Sequence, residues 1–196
     1  FKTQRQIDTA SLPAPGEKLA ILQHTIERLT AAGYVYIGMD HFARPDDELA
    51  VAQREGSLYR NFQGYSTHAD CDLVAMGITA IGKVGDSYSQ NVKTLDEYSA
   101  LLDAGRLPVF RGIVLSHDDK LRRAIITQLI CHFELNYARI EQAFNVRFRD
   151  YFAAELKEFE AMQTDGLLEV GVHSIVVRPA GKLLIRNICM VFDTYL

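Results

Sequence analysis

Residues 36–45 read YIGMDHFARP, an aromatic and β-branched stretch that gives way to a carboxylate, an imidazole and a guanidinium: Asp40, His41 and Arg44. Such groups just beyond the carboxyl end of a strand can orient an anionic substrate or cofactor, because the loops at that end carry the sites of α/β proteins. The same residue types also make local hydrogen bonds and cap a following helix, so this stretch alone leaves both uses open. Residues 61–72, NFQGYSTHADCD, set Phe62 and Gln63 beside a glycine and several hydroxyls. That set suits stacking on a planar heterocycle and hydrogen-bonding its edge, and it equally suits an ordinary polar surface loop. Gly77 and Gly82 of MGITAIG would let backbone approach a ligand or a packed helix. His68 and His117 stand in polar loops without a second ligand at metal spacing, so no metal site is expected.

The elements that must position these residues follow from periodicity. After a polar lead-in over residues 1–14, Leu19, Leu22, Ile26 and Leu29 mark a helix that Gly33 stops. YVYIGM reads as a strand, and Pro45, Asp46 and Asp47 as the opening of a second helix. Beyond the polar loop GSLYRNFQGYSTHAD, the run CDLVAMGITAIGKVGDSYSQN reads as a buried strand entering a glycine-loosened loop, which suggests parallel α/β layering. Helical composition begins near Asn91, with AGRLPVFRG as the softest point and a domain boundary expected near residue 110. Further on, Ser116 and Asp119 form a capping-box pattern ahead of Leu121, Ile125, Leu129 and Phe133. EQAF closes a short helix, Phe148, Phe152, Leu156 and Phe159 mark a third, LLEV and SIVV flank Gly171 as short strands, and a last helix follows Pro179. Three helices, a hairpin and a helix describe a winged-helix-like module over 111–196.

Composition narrows the classes. The 196 residues are 48% hydrophobic, enough for a core, and carry 21 Lys and Arg against 25 Asp and Glu. No overall positive field draws the chain to nucleic acid or anionic lipid, and residues 116–196 hold 10 basic against 11 acidic side chains, where a DNA-reading wing would be basic. No apolar run approaches the roughly 20 residues of a membrane span, and no signal pattern opens the chain, so a cytoplasmic setting is expected. Cys71, Cys131 and Cys189 are widely separated, which speaks against disulfides and a self-contained metal site. Phe at position 1 and an apolar helical rhythm running to Leu196 lead us to expect part of a longer protein.

The strings GYVYIGMDHFARPDDELAVAQREGSLYRNFQGYSTHADCDL, AIGKVGDSYSQN and GKLLIRNICMVFDTYL resemble oxygen-independent coproporphyrinogen III oxidases (dehydrogenases), radical S-adenosylmethionine enzymes of haem biosynthesis. The resemblance covers essentially the whole chain. It implies the C-terminal part of that enzyme: an α/β portion, the late strands and helices of a partial (β/α) barrel over residues 1–110, followed by the mostly helical, winged-helix-like domain over 111–196. The implied activity is oxidative decarboxylation of two propionates of coproporphyrinogen III to give protoporphyrinogen IX, using S-adenosyl-L-methionine, a 4Fe-4S cluster and a reducing electron donor. The intact enzyme is expected to be a monomer without nucleic-acid or membrane partners. The family's Cys-x3-Cys-x2-Cys cluster motif is absent here, so the cluster ligands are missing and the isolated chain is expected to be inactive.

By the same resemblance Phe62, Gln63 and Ile81 stand at positions that lie beside S-adenosylmethionine in the family. Asp40, His41 and Arg44 then face the side that holds cofactor and tetrapyrrole, Arg44 as a carboxylate partner and Asp40 or His41 as the group that orders the loop. The competing readings are a haem- or tetrapyrrole-binding module without oxidase activity, with His41 or His68 as axial ligand, and a winged-helix interaction protein.

Overall fold

The computed structural model describes residues 6–196, so the polar lead-in falls partly on residues 1–5, outside the described residues. Helix α1, Pro15–Ala31, starts on a proline with Glu17 in its first turn and ends at Gly33, whose φ of +89° suits glycine. Strand β1, Val35–Gly38, follows as expected. Instead of leading through a loop into a helix, it folds straight back into β2, His41–Ala43, with Gly38 at φ +145° and Met39 at φ +58° making the turn. Helix α2, Glu48–Glu55, starts three residues later than Pro45, because Asp47 Oδ1 accepts a hydrogen bond from Leu49 N.

Next come two hairpins, β3 (Tyr59–Arg60) with β4 (Tyr65–Ser66), and β5 (Ile81–Val84) with β6 (Ser87–Asn91). Helix α3, Leu95–Asp103, then leads to β7, Val109–Val114, which adds to β6. The expected buried strand over residues 71–91 is therefore a hairpin turning at Gly85, preceded by a segment in which Val74 and Met76 are exposed. Parallel layering is overturned too: every strand pairing among the described residues is antiparallel. The helix–strand alternation that suggested it conceals short hairpins, which need no crossover. The boundary expected near residue 110 falls inside β7, a strand AGRLPVFRG disguised because all six of its residues are exposed and no apolar alternation marks a buried face.

Helix α4, His117–His132, carries the expected capping box, with Ser116 Oγ accepting from Asp119 N at 3.1 Å and Asp119 Oδ2 accepting from Ser116 N at 2.8 Å. After it come β8 (Glu134–Asn136), α5 (Tyr137–Phe144), α6 (Phe148–Tyr151), α7 (Ala153–Thr164), β9 (Leu168–Val170), β10 (Ser174–Val177), α8 (Pro179–Leu183) and α9 (Ile185–Met190). The expected third helix is split at Phe152, and the hairpin gains β8 as a third strand in the order β8-β10-β9.

Two cores share α4. The larger gathers Leu121, Ile125 and Leu129 of α4 with Phe148, Phe152, Phe159, Ile175 and Phe192, all fully buried. The smaller holds Ile37, Ala43, Ala50, Ala52 and Leu58 against Cys131. At this junction α4 presents carbonyls that no helical N–H can reach. The Gln53 amide donates to Cys131 O at 2.9 Å and to Ile37 O, and the Tyr65 hydroxyl donates to Ile130 O at 3.1 Å. Burial raises the Tyr65 phenol above its usual range, so it remains a donor. Replacing Gln53 with Leu removes the donor from two carbonyls at once and should lower stability by about 2 to 6 kcal/mol, at about 1 to 3 kcal/mol per unsatisfied group; a shift in the urea midpoint at constant slope measures it.

Candidate functional site

The β3–β4 hairpin, β5, β6, α4 and the residues after α9 enclose a cleft of about 410 Å³. Tyr59, Phe62, Tyr88, Ile126, Ile130 and Phe192 give it apolar and aromatic walls. Its floor is tied by Arg122, whose Nη1 donates to Glu155 at 2.8 Å while its Nε donates to Asp118 at 2.8 Å. Burial pulls this guanidinium's pKa down, and the two carboxylates outweigh it, leaving the net shift upward. The C-terminal residues close one side, since the Tyr195 hydroxyl donates to Asp119 Oδ1 at 2.9 Å. Hydrogen bonds from Ser116 and from Tyr195 hold the Asp119 carboxyl below its usual range, so it stays ionised and keeps accepting.

Three further cations line the same cleft. Arg60 lies 4.7 Å from the Tyr65 ring centre, Lys83 5.3 Å from that of Tyr59, and Arg123 5.9 Å from that of Tyr88. Arg123 also donates to the Tyr88 hydroxyl at 3.3 Å. Among the described residues none of the three has a carboxylate within ion-pair distance, and Arg60 Nη1 is buried without a hydrogen-bond partner. The sequence reading missed all three. For Arg60 and Lys83 the available signal was basic residues close to aromatic ones in YRNF and KVGDSY, two segments in separate hairpins that meet only around the cleft; for Arg123, in α4, the sequence carries no such signal.

The expected site residues separate into two groups. Phe62 and Ile81 come together in an adjoining recess of about 350 Å³, shared with Tyr88, Gln90 and Arg111. Phe62 stands edge-on to Tyr88 with ring centres 5.2 Å apart and is still 57% exposed, so a face remains free for stacking. Gln63 sits in the turn beside Phe62, where Asn61 Oδ1 accepts from its backbone N–H, and its side chain lines neither cavity. Asp40, His41 and Arg44 lie apart from both cavities on the β1–β2 hairpin and its exit. Asp40 Oδ1 is 2.8 Å from His41 Nδ1 without the alignment of a hydrogen bond, and His41 rests edge-on against Tyr65. Arg44 is exposed and reaches only Asp46, at 3.8 Å. His68 is exposed, its backbone N–H donating to Ser66 Oγ.

The smaller recess sets the part-exposed Phe62 ring and the apolar Ile81 beside Gln90 and Arg111, which are hydrogen-bonded to each other at 2.9 Å, a lining that could take a flat heterocycle. An iron–sulfur cluster does not fit the cysteines of this chain. Cys131 and Cys189 are buried, and burial pushes both thiols up to about 12, away from the thiolate form that binds iron. Among the described residues no three His, Cys, Asp or Glu side chains converge on a point where a metal could sit. Iodoacetamide at pH 8 should therefore label the native chain once, at exposed Cys71, and three times after denaturation; mass spectrometry of the intact chain counts the adducts.

Three comparisons place this geometry among known proteins. A family model described as HemN C-terminal domain matches residues 115–184. The chain is 53% identical over all its 196 residues to the oxygen-independent coproporphyrinogen III oxidase of Pseudomonas aeruginosa and 55% identical to that of Escherichia coli K12, spanning 43% of each. The solved structure of coproporphyrinogen III oxidase from Escherichia coli, described as a radical SAM enzyme, superimposes with a TM-score of 0.95 at 55% identity, covering 100% of this chain and 45% of that one. The chain thus spans less than half the length of these relatives. The HemN C-terminal domain model thus matches residues 115–184 of a chain that is similar along its whole length to oxygen-independent coproporphyrinogen III oxidases.

Proposed function

We propose that this chain is the cofactor- and substrate-facing C-terminal part of an oxygen-independent coproporphyrinogen III oxidase. The supporting observation is 55% identity to the Escherichia coli enzyme without a gap in coverage of this chain, on a backbone of the same shape. On this reading residues 1–110 contribute late strands of the catalytic barrel and 111–196 form the winged-helix-like domain. A cytoplasmic, monomeric enzyme fed by a reducing electron donor is part of the same proposal.

The reaction turns two propionates into vinyl groups. From each, the β-hydrogen leaves as an atom, the carboxylate departs as carbon dioxide, and the remaining electron passes to an acceptor. S-adenosylmethionine, when bound, supplies the radical that takes the hydrogen atom. The residues described above contribute binding and exclusion. Phe62 offers its free face to the adenine, Ile81 supplies an apolar wall of the same recess, and Gln63, in the turn beside Phe62 and outside the recess, meets the cofactor where it extends beyond that recess. The aromatic cleft beside them keeps water from the reacting carbon. Asp40 holds the His41 ring against Tyr65 and so steadies the β1–β2 turn, while Arg44 offers an exposed guanidinium to a propionate at the rim.

The deciding experiment is anaerobic reconstitution of a protein that joins this chain to the cluster-binding portion of a relative, assayed for 5′-deoxyadenosine and for carbon dioxide from coproporphyrinogen III. Turnover of both supports the proposal, and cofactor cleavage without decarboxylation rejects it. In the same protein Phe62→Ala should raise the dissociation constant for S-adenosylmethionine by about five- to 150-fold, the loss of one base-stacking contact of about 1 to 3 kcal/mol. Equilibrium dialysis reads that value directly.

A further inference from the structure

The cleft holds a charge arrangement that the reaction itself would change. Its two carboxylates are engaged, Asp119 with Ser116 and Tyr195, and Asp193 with the backbone N–H of Tyr195 at 2.9 Å. Arg122 is engaged as well, by Asp118 and Glu155. That leaves Arg60, Lys83 and Arg123, each lying over a tyrosine ring and none within ion-pair distance of a carboxylate among the described residues; Asp86, the acidic group that Lys83 and Arg123 sense, is already held by Lys120 at 2.9 Å. Lys83 and Arg123 also line an adjoining recess, which shares Tyr59 and Thr127 with the cleft, so both cations border two openings. Unpaired cations around an aromatic-walled cleft select a flat apolar ligand edged with carboxylates, and their attraction scales with the number of carboxylates presented.

We propose that Arg60, Lys83 and Arg123 form a carboxylate-counting rim: it grips a tetrapyrrole bearing four propionates and loosens as propionates become neutral vinyl groups, which favours substrate over product. This rests on the tetrapyrrole reading above and adds to it the residues that discriminate. Product release is then built into the charge balance of the cleft, without a moving element. Arg60, already half-sequestered by Tyr65, is the fixed anchor, and Lys83 and Arg123 are the adjustable pair.

Fluorescence titration of the 196-residue chain with three stable porphyrins tests the rim: coproporphyrin III with four carboxylates, deuteroporphyrin IX with two, and coproporphyrin III tetramethyl ester with none. Coproporphyrin III should bind at least tenfold more tightly than deuteroporphyrin IX, with an affinity that falls as salt is raised. The Lys83→Ala, Arg123→Ala double variant should lose that preference while binding the ester as before, and Lys83→Arg with Arg123→Lys should keep it. An unchanged thermal midpoint shows that the double variant is folded. Equal affinities for the three porphyrins, no binding at all, or a double variant that keeps the preference would each overturn the rim. If the reconstituted protein decarboxylates coproporphyrinogen while the double variant discriminates normally, the rim fails and the enzymatic reading stands. If discrimination depends on these residues and decarboxylation never occurs, the enzymatic reading fails and the rim stands.

Discussion

The carbonyls at the carboxyl end of α4 govern how this chain is put together. A helix leaves its last carbonyls without partners, and burying them unsatisfied is costly. Here Gln53 and Tyr65, 78 and 65 residues away in sequence, supply the missing donors to Cys131 and Ile130. Those two bonds fix α2 and the β3–β4 hairpin against the helical module, β1 is tied in through the Gln53 bond to Ile37 O, and Tyr65 comes to the place where it packs on Gly38, Arg60 and His41. A Cβ at position 38 would run into the Tyr65 hydroxyl, so the glycine there is required by that contact as well as by its φ. The family match begins at residue 115, but the energetic unit does not, because α4 is finished by side chains that precede it.

At its other end the same helix organises the cleft. Its amino-terminal turn is closed by the capping box, and Asp119, which completes that box, also receives the Tyr195 hydroxyl. One carboxylate thus serves as helix cap and as latch for the C-terminal residues. Arg122, one turn along, ties α4 to α7 through Glu155 and lies over Phe152, linking the cleft floor to the aromatic core around Phe192. Core packing and cleft shape therefore depend on the same helix, and a change that tilts α4 alters both.

What the sequence disclosed follows from which forces act locally. The helix from Leu19 to Leu29, the strand before Met39, the Ser116 capping box and the hairpin around Gly171 were all legible, because each is set by neighbours within about four residues. The β1–β2 turn was not: Met39 at positive φ is a conformation that residue type does not announce, and Asp40 reads the same in a turn as in a catalytic loop. β7 was hidden by its full exposure, and the split at Phe152 by an apolar rhythm that continues across it. For the candidate site, chemical type pointed to Phe62 and the family resemblance to Ile81, and the structure sets both on one recess. Arg60, Lys83 and Arg123 escaped notice because what distinguishes them is that no carboxylate comes within ion-pair distance while each lies over a tyrosine ring, a property of three dimensions alone.

The border strand β7 has one further consequence. One side pairs with β6, and among the described residues the other side pairs with nothing. Val109, Phe110, Ile113 and Val114 are all exposed along it, interrupted only by Arg111 and Gly112. Any extended segment laid there gains a ladder of hydrogen bonds and sheds apolar surface in one step. At high concentration this margin offers copies of the chain a place to pair edge to edge, and the packing inside the two cores does nothing to remove it.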